Sequence, residues 1–201
     1  MEFLDKNYER PTDVGNYTKL EDGENRIRIL DSAIVGWEYW VEETTNDGKQ
    51  TRKPIRTKEL KKVPKEYYSD AKHFWSFPVY NYKAKRIQIL NLTQSGIQKN
   101  IEAIVRNPKW GDPKEYDIVI TRTKTGTEKW DVEYYVQPDP KEKLEEGVEQ
   151  LYKDMDIKIE KLYTSGDPFE ASSEDFNKKV ENRTKEDNID IDEVSEALEK
   201  E

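Results

Sequence analysis

The sequence has no cysteine and a single histidine, His73, among its 201 residues. The lack of cysteine excludes disulfides and thiolate zinc sites, and one histidine cannot form a histidine metal pair or a two-histidine relay. No Gly-x-x-x-x-Gly-Lys phosphate loop occurs. No apolar run approaches the length of a membrane span, and the charged N-terminus MEFLDKNYERP lacks the apolar stretch of a secretory signal. We therefore expect a cytoplasmic protein that is not an enzyme, uses no metal or cofactor and does not contact a membrane.

Apolar residues are scarce as well. They make up 33% of the chain, whereas charged residues make up 38%. Such a composition predicts that part of the chain is not packed into a core. Aromatic residues nevertheless reach 11%, with five Trp and twelve Tyr. A core this lean has no evident use for all of these rings, so we expect some of them to face a ligand.

The net charge of −9 is unevenly distributed. Residues 1–140 carry 24 Lys and Arg against 23 Asp and Glu, whereas residues 141–201 carry 10 against 20. Within the first part, residues 49–65 hold eight basic side chains and one acidic one. The acidity therefore belongs to the C-terminal third, and it does not exclude a nucleic-acid groove on the body.

Hydrophobic periodicity predicts a mainly β fold. Alternating or continuous apolar runs predict strands over residues 26–42, 73–82, 85–92, 116–122 and 130–136. Apolar residues three and four apart predict a helix over 94–107, between the third and fourth strands. Three strands, one helix and two strands is the order of an OB fold, a five-stranded barrel.

The remaining segments complete the predicted organisation. Residues 1–25 form an N-terminal arm and residues 43–71 a long basic loop, both within an OB domain that spans 1–140. Apolar spacing predicts a further helix over 141–163. Residues 164–201 are rich in Ser, Asp, Glu, Asn and Lys, which predicts a flexible acidic tail.

The candidate site combines rings and cations, because single strands are bound by a positive track for phosphates and by flat rings that stack on bases. The candidate stacking residues are Trp37, Tyr39, Trp40, Phe74, Trp75, Phe77, Tyr80 and Tyr82. The candidate phosphate-binding residues are Lys53, Arg56, Lys58, Lys61, Lys62, Lys83, Lys85 and Arg86. Strand alternation places Trp37 and Tyr39 on one face and Trp40 on the other. The alternatives are that each ring belongs to the core and that the basic run is a solvated loop.

The C-terminal segment EDNIDIDEVSEALEKE, residues 186–201, carries eight acids and one base. Its apolar spacing allows one amphipathic helix face on a partner. The candidate partner-binding residues are Asp190, Ile191, Asp192, Glu193, Val194 and Leu198. The alternative is a solubilising disordered end.

Several motifs in order resemble those of bacteriophage single-stranded DNA-binding proteins with an OB fold. They are NYTKLEDGENRIRIL (16–30), GWEYW (36–40), KPIR (53–56), HFWSFPVYNY with KRIQILNLTQSGIQ (73–98), NPKWGDPKEYDIVITR (107–122) and YYVQPDP (134–140). The resemblance covers about residues 3–145. It implies sequence-tolerant binding of single-stranded DNA in phage replication, recombination or repair in the host cytoplasm, with an acidic tail that docks onto replication or recombination proteins. The zinc site of some phage relatives does not carry over, because this chain has no cysteine.

Two other functions stay open at this point. An OB-type adaptor would use the acidic tail to recruit replication or recombination enzymes, and an enzyme with an accessory OB domain is the weakest alternative. The sequence does not settle whether the chain self-associates.

Deletion of residues 186–201 separates the binder from the adaptor. If the tail competes with DNA for the same cations, the truncated chain should bind a dT oligomer with higher affinity than the full chain. An adaptor should show unchanged DNA affinity and lose its protein partner instead.

Overall fold

The computed structural model describes residues 15–45, 47–128 and 130–170. The chain divides into two units after Pro168, and the description below concerns the first. Residues 1–14 of the predicted arm and residues 171–201 of the predicted tail lie outside the described residues. Among those that are described, no helix has both the length and the apolar character needed to cross a membrane.

The described chain is mainly β, which confirms the coarse prediction of fold class, but it has seven strands instead of five. The strands are β1 (Gly23–Ile29), β2 (Ile34–Thr44), β3 (Gln50–Thr57), β4 (Lys72–Asn81), β5 (Arg86–Leu92), β6 (Tyr116–Lys124) and β7 (Val132–Lys141). The α-helices are α1 (Ser95–Val105) and α2 (Val148–Met155). Short 3₁₀ helices are Leu60–Lys62, Lys65–Tyr67, Pro113–Glu115 and Ile159–Thr164.

The seven strands form one open antiparallel sheet in the order β3-β2-β4-β1-β6-β7, with β5 paired to β4. Strand β4 is the branch point. Its first half pairs with β2 and its last residues pair with β1, so these two strands share one edge of β4. Strand β5 runs along the opposite edge over residues 75–81 of β4. The N-terminal segment then adds a short parallel bridge to β5, between Tyr17 and Ile89.

The main core lies between one face of this sheet and α1. The alternating residues Phe77 and Val79 of β4 point into it, together with Ile27 of β1 and Ile118 of β6. Helix α1 contributes its buried face through Ile97 and Ile101, which lie one turn apart. The same alternation turns the intervening residues of β4 to the opposite side of the sheet.

That opposite side is covered by the chain after β7. Val148 of α2 packs with Tyr80 and Ile87, and Leu144 and Tyr152 pack around them. Farther along β4, the 3₁₀ helix Ile159–Thr164 contacts β3 and β4. Both faces of β4 are therefore buried along most of its length.

Two of the predicted β-region boundaries are corrected. Residues 26–42 are not one strand, because the chain turns at residues 30–33 between β1 and β2. The predicted loop over 43–71 contains the end of β2, the whole of β3 and two 3₁₀ helices. The sequence TRKPIRT of β3 has no apolar alternation, since β3 is an edge strand with little core contact.

The predicted continuous helix over 141–163 is wrong. Strand β7 extends to Lys141, and α2 covers only Val148–Met155. The backbone is left-handed at Gly147 (φ 85°) and at Asp156 (φ 46°), which ends the helix on both sides. The apolar spacing that suggested a long helix reflects two short elements that pack on the same side of the sheet.

Gly36 marks a close approach between strands. A Cβ atom at this position would overlap the carbonyl oxygen of Thr57 at the end of β3 and would lie 3.2 Å from Phe74 Cε1. The absence of a side chain therefore lets β3 cross close to β2 above the buried Phe74 ring.

We expect Gly36→Ala to lower the free energy of unfolding by about 1–3 kcal/mol, because the overlap is with backbone and can be relieved only by moving β3. Gly96→Ala is the matched control, since a Cβ there meets nothing within 4 Å and Gly96 lies in α1. Its stability should stay the same or rise by up to about 1 kcal/mol. Urea denaturation measures both, and equal effects would contradict the close approach.

Candidate nucleic-acid interface

Strands β2 and β3 form a ribbon that extends beyond the end of β4. β4 pairs with β2 only over residues 34–38, whereas the β2–β3 ladder continues to Thr44 and Gln50. The six residues from 39 to 44 extend about 20 Å past the last β4 pair. The ribbon therefore presents side chains to solvent away from the packed sheet.

The two faces of the ribbon differ in composition. Directly opposed residues of an antiparallel pair lie on the same face. Trp40 opposes Pro54, Glu42 opposes Arg52 and Glu38 opposes Arg56, so one face carries a tryptophan and a proline between two Glu–Arg pairs. Trp40 is 43% exposed.

The other face of the ribbon is covered by residues 58–71. Tyr39 stacks on Tyr67 with ring centroids 5.0 Å apart, and Trp37 meets His73 edge-on at 5.5 Å. Val63, which belongs to the same segment, is buried. These contacts occupy the Tyr39 ring and half-bury the Trp37 ring.

A buried polar chain continues the Trp40 side of the ribbon onto β4 and β5. Arg56 pairs with Glu38 at 2.7 Å, and Asn91 Nδ2 donates to Glu38 Oε2 at 3.3 Å. Ser76 Oγ donates to Asn91 Oδ1. The Arg56 guanidinium also lies 5.6 Å from the centroid of Phe74. Its Nε is buried with no hydrogen-bond partner among the described residues.

Two tyrosines lie on this same side. Tyr17 is 41% exposed beside β5. Burial raises the pKa of the Tyr17 hydroxyl, nearby Arg56 lowers it, and Asp167 and Glu38 raise it further. The Tyr17 hydroxyl therefore lies within electrostatic reach of the Arg56–Glu38 pair.

Tyr163, from the 3₁₀ helix Ile159–Thr164, covers Phe74. The two rings meet edge-on with centroids 6.2 Å apart, and the Tyr163 hydroxyl donates to the Val35 carbonyl at 2.7 Å. Lys58 Nζ lies 5.2 Å from the Tyr163 centroid, a cation–π distance. We call this whole surface the ring-and-cation face; its members are Tyr17, Trp40, Arg52, Arg56, Lys58 and Tyr163.

Three members of this face were missed from the sequence: Tyr17, Arg52 and Tyr163. Arg52 had a signal, because the Asn46-Asp47-Gly48 turn sequence favours a hairpin that places Arg52 on the same face as Trp40. Tyr17 and Tyr163 had none, since each reaches the face through contacts distant in sequence.

Half of the predicted stacking residues are buried in the structure. Phe74 is fully buried, and Tyr39, Phe77 and Tyr80 are buried. Their ring faces contact protein because both sides of β4 and one side of the ribbon are covered. Trp37, Trp75 and Tyr82 are half-buried, and Trp40 is the exposed member of the predicted set.

The predicted phosphate-binding residues do not converge. Lys53 lies on the opposite face of the ribbon from Arg56, since it opposes Val41. Lys61 and Lys62 both lie near Glu59, at 2.5 and 3.9 Å.

The remaining three cations, Lys83, Lys85 and Arg86, lie at the turn between β4 and β5. This turn is about 30 Å along β4 from the ribbon. Lys83 pairs there with Glu21. The predicted tail residues Asp190, Ile191, Asp192, Glu193, Val194 and Leu198 lie outside the described residues.

A second charged cluster, which sequence reasoning missed, surrounds Asp117. Arg28 Nε donates to Asp117 Oδ1 at 2.5 Å and Arg26 Nε to Oδ2 at 2.7 Å, while the Tyr82 hydroxyl donates to Oδ1 at 2.9 Å. Arg28 and Asp117 side chains are both 2% exposed. Burial and the Asp117 carboxylate raise the pKa of Tyr82.

Arg28 also links this cluster to the backbone of two other segments. Arg28 also donates to the Lys114 carbonyl at 3.3 Å and to the Glu142 carbonyl at 2.9 Å. The Arg28 donors thus point at Asp117 or at backbone, and Arg26 also pairs with Asp139 at 3.0 Å and with Glu142 at 3.8 Å. In the described part of the chain, no group of three or more His, Asp or Glu side chains is arranged to hold a metal ion.

A cavity of about 630 Å³ lies on the core side of the sheet and is therefore separate from the ring-and-cation face. Ile29, Trp75, Phe77 and Ile101 are among its apolar lining residues. Charged residues at its edge pair with one another, Arg106 with Glu102 at 2.7 Å and Lys114 with Asp31 at 3.3 Å.

We expect Asp117→Asn to cost about 3–5 kcal/mol of unfolding free energy, because it leaves the buried Arg28 guanidinium without its counter-charge. Glu59→Gln is the control: its partner Lys61 is exposed, so the loss should stay within about 1 kcal/mol. Chemical denaturation of the two variants gives the comparison. A loss below about 1 kcal/mol for Asp117→Asn would show that the pair does not anchor the fold.

Comparison of the chain with protein-family models, with curated proteins and with solved structures gave no match.

Proposed function

We propose that this chain is a non-enzymatic, sequence-tolerant single-stranded DNA-binding protein that acts in phage DNA replication, recombination or repair in the host cytoplasm. The observation that carries the proposal is the ring-and-cation face, where an exposed tryptophan lies between two Glu–Arg pairs of the β2–β3 ribbon. Rings beside cations are what an unpaired strand needs, because its bases offer flat faces and its phosphates negative charge.

The strand order supports an OB fold as the scaffold of this site. β1 pairs with both β4 and β6, and α1 stands between β5 and β6 in the chain. If β1 and β2 count as one bent strand and β3 as an added strand, the chain order becomes three strands, a helix and two strands. This is the element order of an OB fold. In this proposal the β2–β3 ribbon, which extends beyond the covered part of β4, forms the binding side.

Each member of the face has a role in this proposal. Trp40 and Tyr17 offer exposed ring surface for base stacking, worth about 1–3 kcal/mol per base. Arg52 and Lys58 are exposed cations for phosphates. Arg56 is largely buried and paired with Glu38, so its role is to position the surface and not to contact a phosphate directly. The acidic tail, in the same proposal, binds replication or recombination proteins and competes with DNA.

Titration with a dT oligomer tests the proposal. Wild-type tryptophan fluorescence should be quenched, and Trp40→Ala should weaken binding by about 1–3 kcal/mol, or roughly 5- to 150-fold. Tyr68→Ala is the matched control, an exposed aromatic outside the face whose loss should change affinity less than about twofold. Unchanged affinity for Trp40→Ala would remove the face from the binding site.

The same titration at two salt concentrations tests the cations. Arg52→Ala should reduce the slope of log affinity against log salt by about 0.7, the value for one phosphate contact on a single strand. Lys109→Ala, an exposed cation near the end of α1, should leave the slope unchanged. Absence of both quenching and binding at low salt would refute DNA binding as such.

A further inference from the structure

The edges of the described sheet are protected unequally. β5 is covered by the N-terminal segment, because Thr18 donates to the Ile89 carbonyl and Ile89 to the Asn16 carbonyl, both at 2.9 Å. β3 carries Pro54 and several cations along its edge. Prolines and cations keep other strands from adding to an edge. β7 pairs with β6 and with no other strand of the described chain.

The prolines of β7 show which backbone groups face outward. Pro138 opposes Ile118, and because proline has no N–H, this pair is not a hydrogen-bonded one. Alternation then turns the N–H and C=O groups of Tyr134 and Val136 away from β6. Pro138 and Pro140 block the last part of this edge, so residues 132–137 are the stretch of β7 with no strand paired on its outer side, while helix α1 contacts β7.

This stretch and the turn before it carry the two most exposed large aromatic side chains of the described residues. Trp130, at the turn before β7, is 75% exposed, and Tyr135, on the outer face of β7, is 63% exposed. Two hydrogen bonds flank this turn: Asp131 accepts from the Glu128 N–H, and the Val132 N–H donates to the Trp130 carbonyl. Tryptophan and tyrosine on an unpaired edge are typical of a protein interface.

We propose that β7 pairs antiparallel with β7 of a second copy of this chain, about a two-fold axis through Tyr134. This inference does not depend on the proposed DNA binding. A second copy fits because the β7 edge can pair with the same edge of another copy. In such a two-fold contact both β7 edges become paired, so no further copy can add at β7.

Charge selects the register. An axis at Tyr134 places Glu133 opposite Tyr135 of the other copy and Asp131 opposite Gln137, so no acid opposes an acid over this stretch. Moving the axis by one residue, to position 133 or 135, sets Glu133 against itself or Asp131 against Asp139. Like charges directly opposite each other destabilise a strand pair.

The register also uses the free backbone groups and the exposed rings. The two Tyr134 residues exchange N–H to C=O bonds, and each Val136 N–H donates to the Val132 carbonyl of the other copy. Trp130 then opposes Pro138, so its exposed ring covers the proline that ends the edge.

Sedimentation tests the pairing. The wild-type chain should sediment as a concentration-dependent dimer, and Tyr135→Glu should raise its dissociation constant about tenfold or more, because it places an acid opposite Glu133 at two symmetric positions. Tyr68→Glu makes the same change at another exposed tyrosine and should leave the dimer intact. A wild-type monomer at all concentrations, as would follow if another segment of the chain covered β7, overturns the proposal. Equal effects of the two variants also overturn it.

Disulfide trapping tests the register independently of affinity, since the wild-type chain has no cysteine. A mixture of Glu133→Cys and Tyr135→Cys proteins should form a covalent dimer, because these positions oppose each other with Cβ atoms about 5 Å apart. Either variant alone should cross-link at least tenfold less, since identical positions are diagonal neighbours about 7–8 Å apart. Equal cross-linking in the mixture and in the single variants would overturn the register.

Discussion

The ion pair between Arg28 and Asp117 is the interaction on which the arrangement of the sheet and its cover depends. It joins β1 to β6 on the side of the sheet away from the main core. Because both side chains are fully enclosed, the low dielectric makes the pair strong and makes the loss of either partner costly. The remaining Arg28 donors hold the Lys114 and Glu142 carbonyls, so the same guanidinium fixes the chain that leaves β7.

The position of that chain decides which aromatic residues are available to a ligand. After Glu142, the chain places α2 over Tyr80 and then brings Tyr163 over Phe74. The middle of β4 therefore becomes a second packed layer instead of an open stacking surface. What remains exposed is at the margin, on the β2–β3 ribbon, where Gly36 lets β3 approach β2 closely. A binding face at the margin is wetter and more easily reached than one at the centre of the sheet.

Local periodicity was sufficient to predict the mainly β class and the approximate positions of β4, β5, β6, β7 and α1. It failed at β3, whose sequence TRKPIRT lacks apolar alternation because an edge strand needs no core face. It failed again at residues 141–163, where left-handed residues divide one apolar pattern into two elements. For the site, alternation separated Trp40 from Tyr39 as the structure has them. It gave no sign that Phe74 and Tyr80 are covered, since their cover comes from residues more than sixty positions away.

The pairing of Arg28 also bears on when this fold can form during translation. Its carboxylate partner lies 89 residues downstream, and its most distant carbonyl partner lies 114 residues downstream. Until residue 142 has left the ribosome, the guanidinium has no enclosed site, and β1 has only part of its ladder. The nascent chain therefore emerges with β1 lacking its β6 partner, and the sheet closes around Arg28 after most of the body has been synthesised.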